Sequence, residues 1–197
     1  MKTRALRGPE TGFTLIEALV VMVILLILML IAAPPLFTMM RQGKLRGTAY
    51  ETATLMRLAR MDAIKHSGQG IVEFVAAAPD QMAMVRAFSD RNSNNVWEDG
   101  EPLIGRHELP NGVEGRSPAD GDVVSGFARS GGRAVFRGNG AAADTGAIRF
   151  ADLRENYLEV RVMSAAGRIE VRKCRTCASE DLDDWFAQGE GWTWEWK

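Results

Sequence analysis

Histidine and cysteine are nearly absent, with two of each among 197 residues. Two histidines, His66 and His107, leave little material for a histidine-based catalytic or metal centre. Two cysteines, Cys174 and Cys177, are too few for a tetrahedral structural zinc site. An excess of one charge is lacking too: 24 basic residues meet 25 acidic ones, a formal net charge of −1. No global basic field therefore draws the chain to nucleic acid. No nucleophile–base set stands out, so the reading is not an enzyme, and no cofactor is expected. A strand–helix–strand repeat is missing, which removes a doubly wound parallel fold.

What the chain does have is one long apolar run. Phe13 to Ala33 is 21 residues, about 31 Å as a helix, enough to span a bilayer core. Ahead of it lie Lys2, Arg4 and Arg7, with Glu10 the one acid, so the positive-inside rule puts residues 1–12 in the cytoplasm and the rest outside. A cleaved secretory signal fits poorly, because a cut after Ala33 would need a small residue where Ile31 stands and would be followed by Pro34. Glu17 sits inside the run, where a carboxylate costs roughly 2.5–3.5 kcal/mol and is usually functional. Pro34 and Pro35 remove two amide donors and clash with the preceding turn, so a kink or local melting is expected there.

These residues carry a resemblance. A basic leader ending in Gly12, then Phe13-Thr14-Leu15-Ile16-Glu17 and an apolar run broken by Pro34, is similar to the class III signal of type IV pilins and of type II secretion pseudopilins. The resemblance implies that prepilin peptidase cuts Gly12–Phe13 on the cytoplasmic side and that Phe13 is N-methylated. It implies a single-pass inner-membrane protein with a periplasmic domain. An inner-membrane assembly platform then moves the subunit from membrane lipid into a helical filament of other pilins. The new α-amine of Phe13 faces apolar surroundings, and a neighbouring subunit's Glu17 would neutralise it; either charge alone would be buried and unpaired. The plainer alternative is that Glu17 snorkels to the interface.

Residues 36–67 read as a second helical segment. Leu45, Ala49, Met56, Ala59 and Ala63 fall on one face, the stripe of a helix buried against a core. Gly43 and Gly47 weaken its first turns, and Gly68 and Gly70 end it. The stretch "LMRLARMDAIKHSGQGIVEF" resembles the GspH/FimT branch of pseudopilins and minor pilins. Beyond it, strands are expected at 71–77, 81–88, 102–109, 133–137, 146–150, 157–164 and 168–173, the last two joined as a hairpin through Ala165-Ala166-Gly167. Residues 110–132 read as loop. The fold class is α+β: a leader (1–12), a transmembrane and filament-core helix (13–35), an amphipathic helix (36–67) and an antiparallel β domain (68–197) with an acidic, Trp-rich tail.

Three features of that domain call for chemistry. In "DRNSNNVWEDGE", Asp90, Asn92, Asn94, Glu98 and Glu101 follow calcium-loop spacing, with Asn95 where that loop has glycine. No helix pair flanks it, so an ordered turn stabilised by Asn and Asp is the first reading and calcium the second. Cys174 and Cys177 read as a short disulfide of an exported domain. DNA binding, known in some FimT-like minor pilins through a basic Gly-Arg-x-Arg stretch, meets Gly167-Arg168-Ile169-Glu170 here, and the tail from Ala178 holds six acids against Lys197. DNA is therefore the alternative partner, with Arg161, Arg168, Arg172, Lys173 and Arg175 the residues left to form a patch. In the tail, Trp192, Trp194 and Trp196 alternate as they would on one face of a strand, either an edge strand or a docking surface. The function expected is a minor pilin or pseudopilin at or near the tip of a type II secretion pseudopilus or type IV pilus.

Overall fold

The computed structural model describes residues 13–118, 122–174 and the backbone of 185–187, with the side chains of 33–35 excepted. One helix, α1 (Leu15–His66), replaces the two helical segments expected. Its assignment is unbroken through Pro34 and Pro35, so no melted turn occurs there. Adjacent prolines remove only the two amides that would serve the carbonyls of Leu30 and Ile31, and the turns on either side keep their own bonds. The chain divides into a unit ending at Met40 and a second unit, Arg41–Lys197.

In the first unit the apolar side chains from Leu15 to Ile31 are exposed. In the second, the helical stripe is buried as its spacing requires: Leu45, Ala49, Met56 and Ala59 are fully covered and Ala63 nearly so, joined by Thr52 and Ala53. Gly43 and Gly47 sit within the helix facing open space, so each costs propensity and no packing.

Two antiparallel sheets complete the second unit. The first has order β3-β2-β1-β6, built from β1 (Gln69–Val75), β2 (Met84–Asp90), β3 (Leu103–Glu108) and β6 (Ala134–Arg137). The second has order β10-β9-β8-β7-β4, with β5 also on β7. Its strands are β4 (Val113–Gly115), β5 (Val124–Gly126), β7 (Gly146–Asp152), β8 (Tyr157–Val162), β9 (Ile169–Cys174) and β10 (Trp185–Ala187). The expected hairpin is present: Val162 pairs with Ile169, and Gly167 N–H closes the turn on Ser164 O at 2.9 Å.

The region 110–132 corrects the expectation of a loop. It holds β4, β5 and a 3-10 turn at Ala128–Ser130. Both strands are three residues long and pair end to end along one edge of β7, Val113 opposite Asp152 and Val124 opposite Ile148. Three residues are too few for alternation to register in the sequence. The strand expected at 81–88 also begins later, at Met84, because Ala78 and Gln81 bridge each other in a tight turn.

Helix and both sheets meet in one core that includes Leu45, Met56, Val72, Val85, Phe127, Phe136, Ile148, Phe150, Leu158 and Val160. Each fully covered large side chain contributes about 1.5–3 kcal/mol. Two close approaches set the helix against the sheets. At Gly70 in β1, a Cβ would collide with the Ala59 backbone carbonyl. Arg60 Nε donates to Gly140 O at 2.8 Å and its Nη1 to Gly167 O at 3.3 Å, tying the helix to the turn after β6 and the β8–β9 hairpin. Gly70→Ala is expected to cost about 1–3 kcal/mol, because backbone cannot yield as a side-chain tip does; urea unfolding of the protein in detergent measures it.

Candidate functional site

The N-terminal end of α1 is built by its first residues. Thr14 is the N-cap: its carbonyl accepts Ala18 N–H at 3.2 Å and its Oγ1 accepts Glu17 N–H at 3.3 Å. Thr14-Leu15-Ile16-Glu17 has the capping-box pattern, with the acid in the third helical position. A carboxylate there also faces the positive end of the helix dipole. Glu17 thus has a local duty in addition to the one expected from its place in the apolar run. The cap role of Thr14 was missed from sequence, though Thr-x-x-Glu before an apolar run is its signal. Phe13 and the side chains following it are exposed; Gly12 lies outside the described residues.

The Asp90–Glu101 loop is a turn that satisfies itself. Asp90, buried at the end of β2, accepts N–H bonds from Asn92 (3.1 Å) and Ser93 (2.6 Å) on Oδ1 and from Asn95 (2.7 Å) on Oδ2. Asn95 has φ 60°, the left-handed conformation that glycine takes at this point of a calcium loop. Asn92 Oδ1 accepts Asn94 N–H, and Asn94 Oδ1 accepts Val96 N–H. The two amide groups donate to the two oxygens of Glu98 at 2.9 and 2.8 Å, while Glu101 accepts from Arg91 and Glu98 N–H, both at 3.2 Å. Every side-chain oxygen of the five expected ligands therefore receives an N–H within the turn itself.

The same loop covers the outward face of the first sheet. Trp97 meets Phe88 edge-on at 5.3 Å between centroids, over a small cluster of Ile71, Phe88 and Val135. The Arg86 guanidinium lies 4.8 Å from the Trp97 ring centre, within cation–π range. Arg86 also pairs with Glu73, which accepts Arg133 Nε at 2.8 Å as well.

A second carboxylate hub lies on the outward face of the second sheet. Glu159, fully buried, is paired with Arg161 (2.8 Å), Arg149 (3.5 Å) and Arg172 (3.5 Å), and Arg149 Nη1 donates to Ser117 Oγ at 2.7 Å. Neither hub was legible in sequence, because every partner but Arg161, which stands two positions from Glu159 on β8, lies 10 to 60 positions from its carboxylate. They matter for the DNA alternative: Arg161 and Arg172 converge on Glu159, and Arg168 pairs with Glu170. Three of the five expected phosphate contacts thus already hold a carboxylate. Cys174 is disulfide-bonded; Cys177, Arg175 and the tryptophans of the tail lie outside the described residues.

Two outcomes are expected. Asp90→Ala leaves three backbone N–H groups without their acceptor, loosening the loop and lifting Trp97 from the sheet; red-shifted tryptophan emission and faster amide exchange at 91–98 report it. Glu159→Ala leaves three arginines without their common partner and costs about 3–5 kcal/mol, read as a lower urea midpoint.

Compared with the curated proteins, the chain has no match. Among solved structures it is similar to the crystal structure of the type IV minor pilin FimU of Pseudomonas aeruginosa strain PAO1. The two are 13% identical, with a TM-score of 0.44, over 77% of this chain and 97% of that one. The prokaryotic N-terminal methylation motif matches residues 7–33, the segment that contains Phe13, the Thr14 cap and Glu17. Residues 48–167, more than half of the chain, match type II transport protein GspH, and they hold the buried helical stripe from Ala49 onward, β1–β8, the Glu73 hub and the Glu159 hub apart from Arg172. The chain belongs to the GspH family of pilin-like proteins, long-helix subunits that assemble with other pilins into a filament.

Proposed function

We propose that the chain is made as a precursor, cut between Gly12 and Phe13 by prepilin peptidase and N-methylated on Phe13. It then enters, at or near the tip, the pseudopilus of a type II secretion system or a type IV pilus. One observation carries this reading: the methylation motif (7–33) and the GspH region (48–167) share a single helix, Leu15–His66. Cleavage would free an amine one residue before the Thr14 cap. That end of the helix then gathers two positive contributions, the amine and the dipole. Glu17 is the nearest acid in the sequence beyond the cut. In a filament, a neighbouring subunit's Glu17 reaching the Phe13 amine would neutralise both charges and set the axial step between helices. Before assembly, the apolar segment would rest in the inner membrane with the β domain in the periplasm. The length and composition of the helix suffice for that, and its exposed apolar side chains match a lipid or helix-packed setting.

Intact mass from membranes tests the route. With prepilin peptidase present, the expected mass lacks residues 1–12 and carries one added methyl group; without the peptidase the chain stays full length. An uncut chain in both strains overturns the reading. Glu17→Gln is expected to leave cleavage intact and remove the subunit from the sheared filament fraction. It leaves an unpaired amine in an apolar setting, at about 3–5 kcal/mol.

A further inference from the structure

A groove lies along one margin of the second unit, where both sheets leave backbone unpaired. Pairing of β1 with β2 ends at Val75 and Met84. The turn beyond closes on itself, with Ala78 N–H on Gln81 O at 2.9 Å and Gln81 N–H on Ala78 O at 3.0 Å. Between ladder and turn, Ala76, Ala77 and Met82 make no backbone hydrogen bond to a described residue. The other wall is β4, the last strand of its sheet, whose outer edge no described strand covers. The space between is about 840 Å³, within the ~300–1,000 Å³ range of ligand sites. Phe74, Leu109 and Val113 give it apolar walls, and the small Ala76, Ala77 and Gly115 leave the main chain within reach. Asp80 and Glu114 are the charged side chains of the lining, both exposed and neither partnered among the described residues. No base lines the groove; Lys44, at its rim, donates Nζ to Asn111 O at 3.3 Å.

We propose that this groove docks an extended segment of a partner polypeptide, one that sets a lysine or arginine beside apolar side chains. The extended form follows from the walls. Unpaired N–H and C=O groups on a sheet edge are a template for one more strand, and a docked strand takes its affinity from those main-chain bonds. The apolar side chains follow from Phe74, Leu109 and Val113, which meet every second residue of such a strand. The base follows from charge complementarity: two unpartnered carboxylates flank the groove, and opposite charge across an interface steers the right partner and rejects a wrong one. A second copy's β4 is the wrong one. Pairing Val113–Gly115 antiparallel with itself about its centre sets Glu114 opposite Glu114, and like charges directly opposite destabilise a sheet. The site is separate from the apolar helix, so the domain engages its partner independently of the segment Leu15–Ile31.

The test is fluorescence anisotropy of a labelled hexapeptide of alternating lysine and valine, titrated with the full-length protein in non-ionic detergent. A glutamate–valine hexapeptide is the counter-probe. The basic probe is expected to bind, and the acidic one at least about tenfold more weakly. The double variant D80N with E114Q should bind the basic probe at least about fivefold more weakly, and about 0.5 M salt should act in the same direction on wild type. Both substitutions fall on exposed side chains outside the core, so unchanged far-ultraviolet circular dichroism confirms folding. Amide-exchange protection by the basic probe should fall at 76–83 and 109–115 and spare 15–31, where a probe held by the apolar helix would show instead. Absence of binding, equal binding of the two probes, protection at 15–31 alone, or a double variant equal to wild type overturns the proposal. Protection of the groove that arises without peptide and grows with protein concentration also overturns it and assigns the groove to a second copy.

Discussion

The close seating of α1 on both sheets is the constraint on which the rest of the second unit depends. Small residues make it possible: Ala49, Ala53, Ala59 and Ala63 face inward, and Gly70 lets β1 pass directly against the Ala59 carbonyl. Near contact of backbones leaves no room for a larger side chain on either partner, so the pairing is specific as well as apolar. Arg60 then fixes the helix end, because its guanidinium reaches carbonyls of turns that belong to different sheets. Without that seat, the two sheets would share no common wall.

On the sides away from the helix, each sheet closes its surface with a buried carboxylate among arginines. Glu73 gathers Arg86 and Arg133, with Trp97 lying over Arg86; Glu159 gathers Arg149, Arg161 and Arg172. Such hubs cost desolvation and repay it only when each charge is paired. Their value lies in register: slipping β7 or β9 by one residue against β8 would strand Glu159 among core side chains. The sheets are therefore held in alignment from the outside as well as the inside.

The division of labour along α1 follows from the same physics. One stretch is apolar on all sides and exposed in the isolated chain, the state of a helix made to be surrounded by lipid or by other helices. The later stretch buries one apolar face, while its outward side mixes charged residues with the exposed Leu58, Met61 and Ile64, the state of a helix bound to a domain. At the start of α1, Thr14 caps the Glu17 N–H, which places the Glu17 carboxylate at the positive end of the helix.

The sequence by itself determined the apolar run, the Gly12–Phe13 signal with Glu17, the buried stripe from Leu45 to Ala63 and the β8–β9 hairpin. Each is a local pattern, with period 3.6, period 2 or a short motif, and local patterns survive without knowledge of neighbours. Only the tertiary structure decided that the strands form two sheets, that β4 and β5 share one edge of β7, and that Pro34 and Pro35 lie within a continuous helix. It also decided that Asp90 spends its carboxylate on three backbone amides, and that Glu73 gathers Arg86 and Arg133, and Glu159 gathers Arg149 and Arg172, from other segments of the chain. Those outcomes depend on which segments meet, and burial and pairing energies between residues far apart in the chain settle that, not propensity within it.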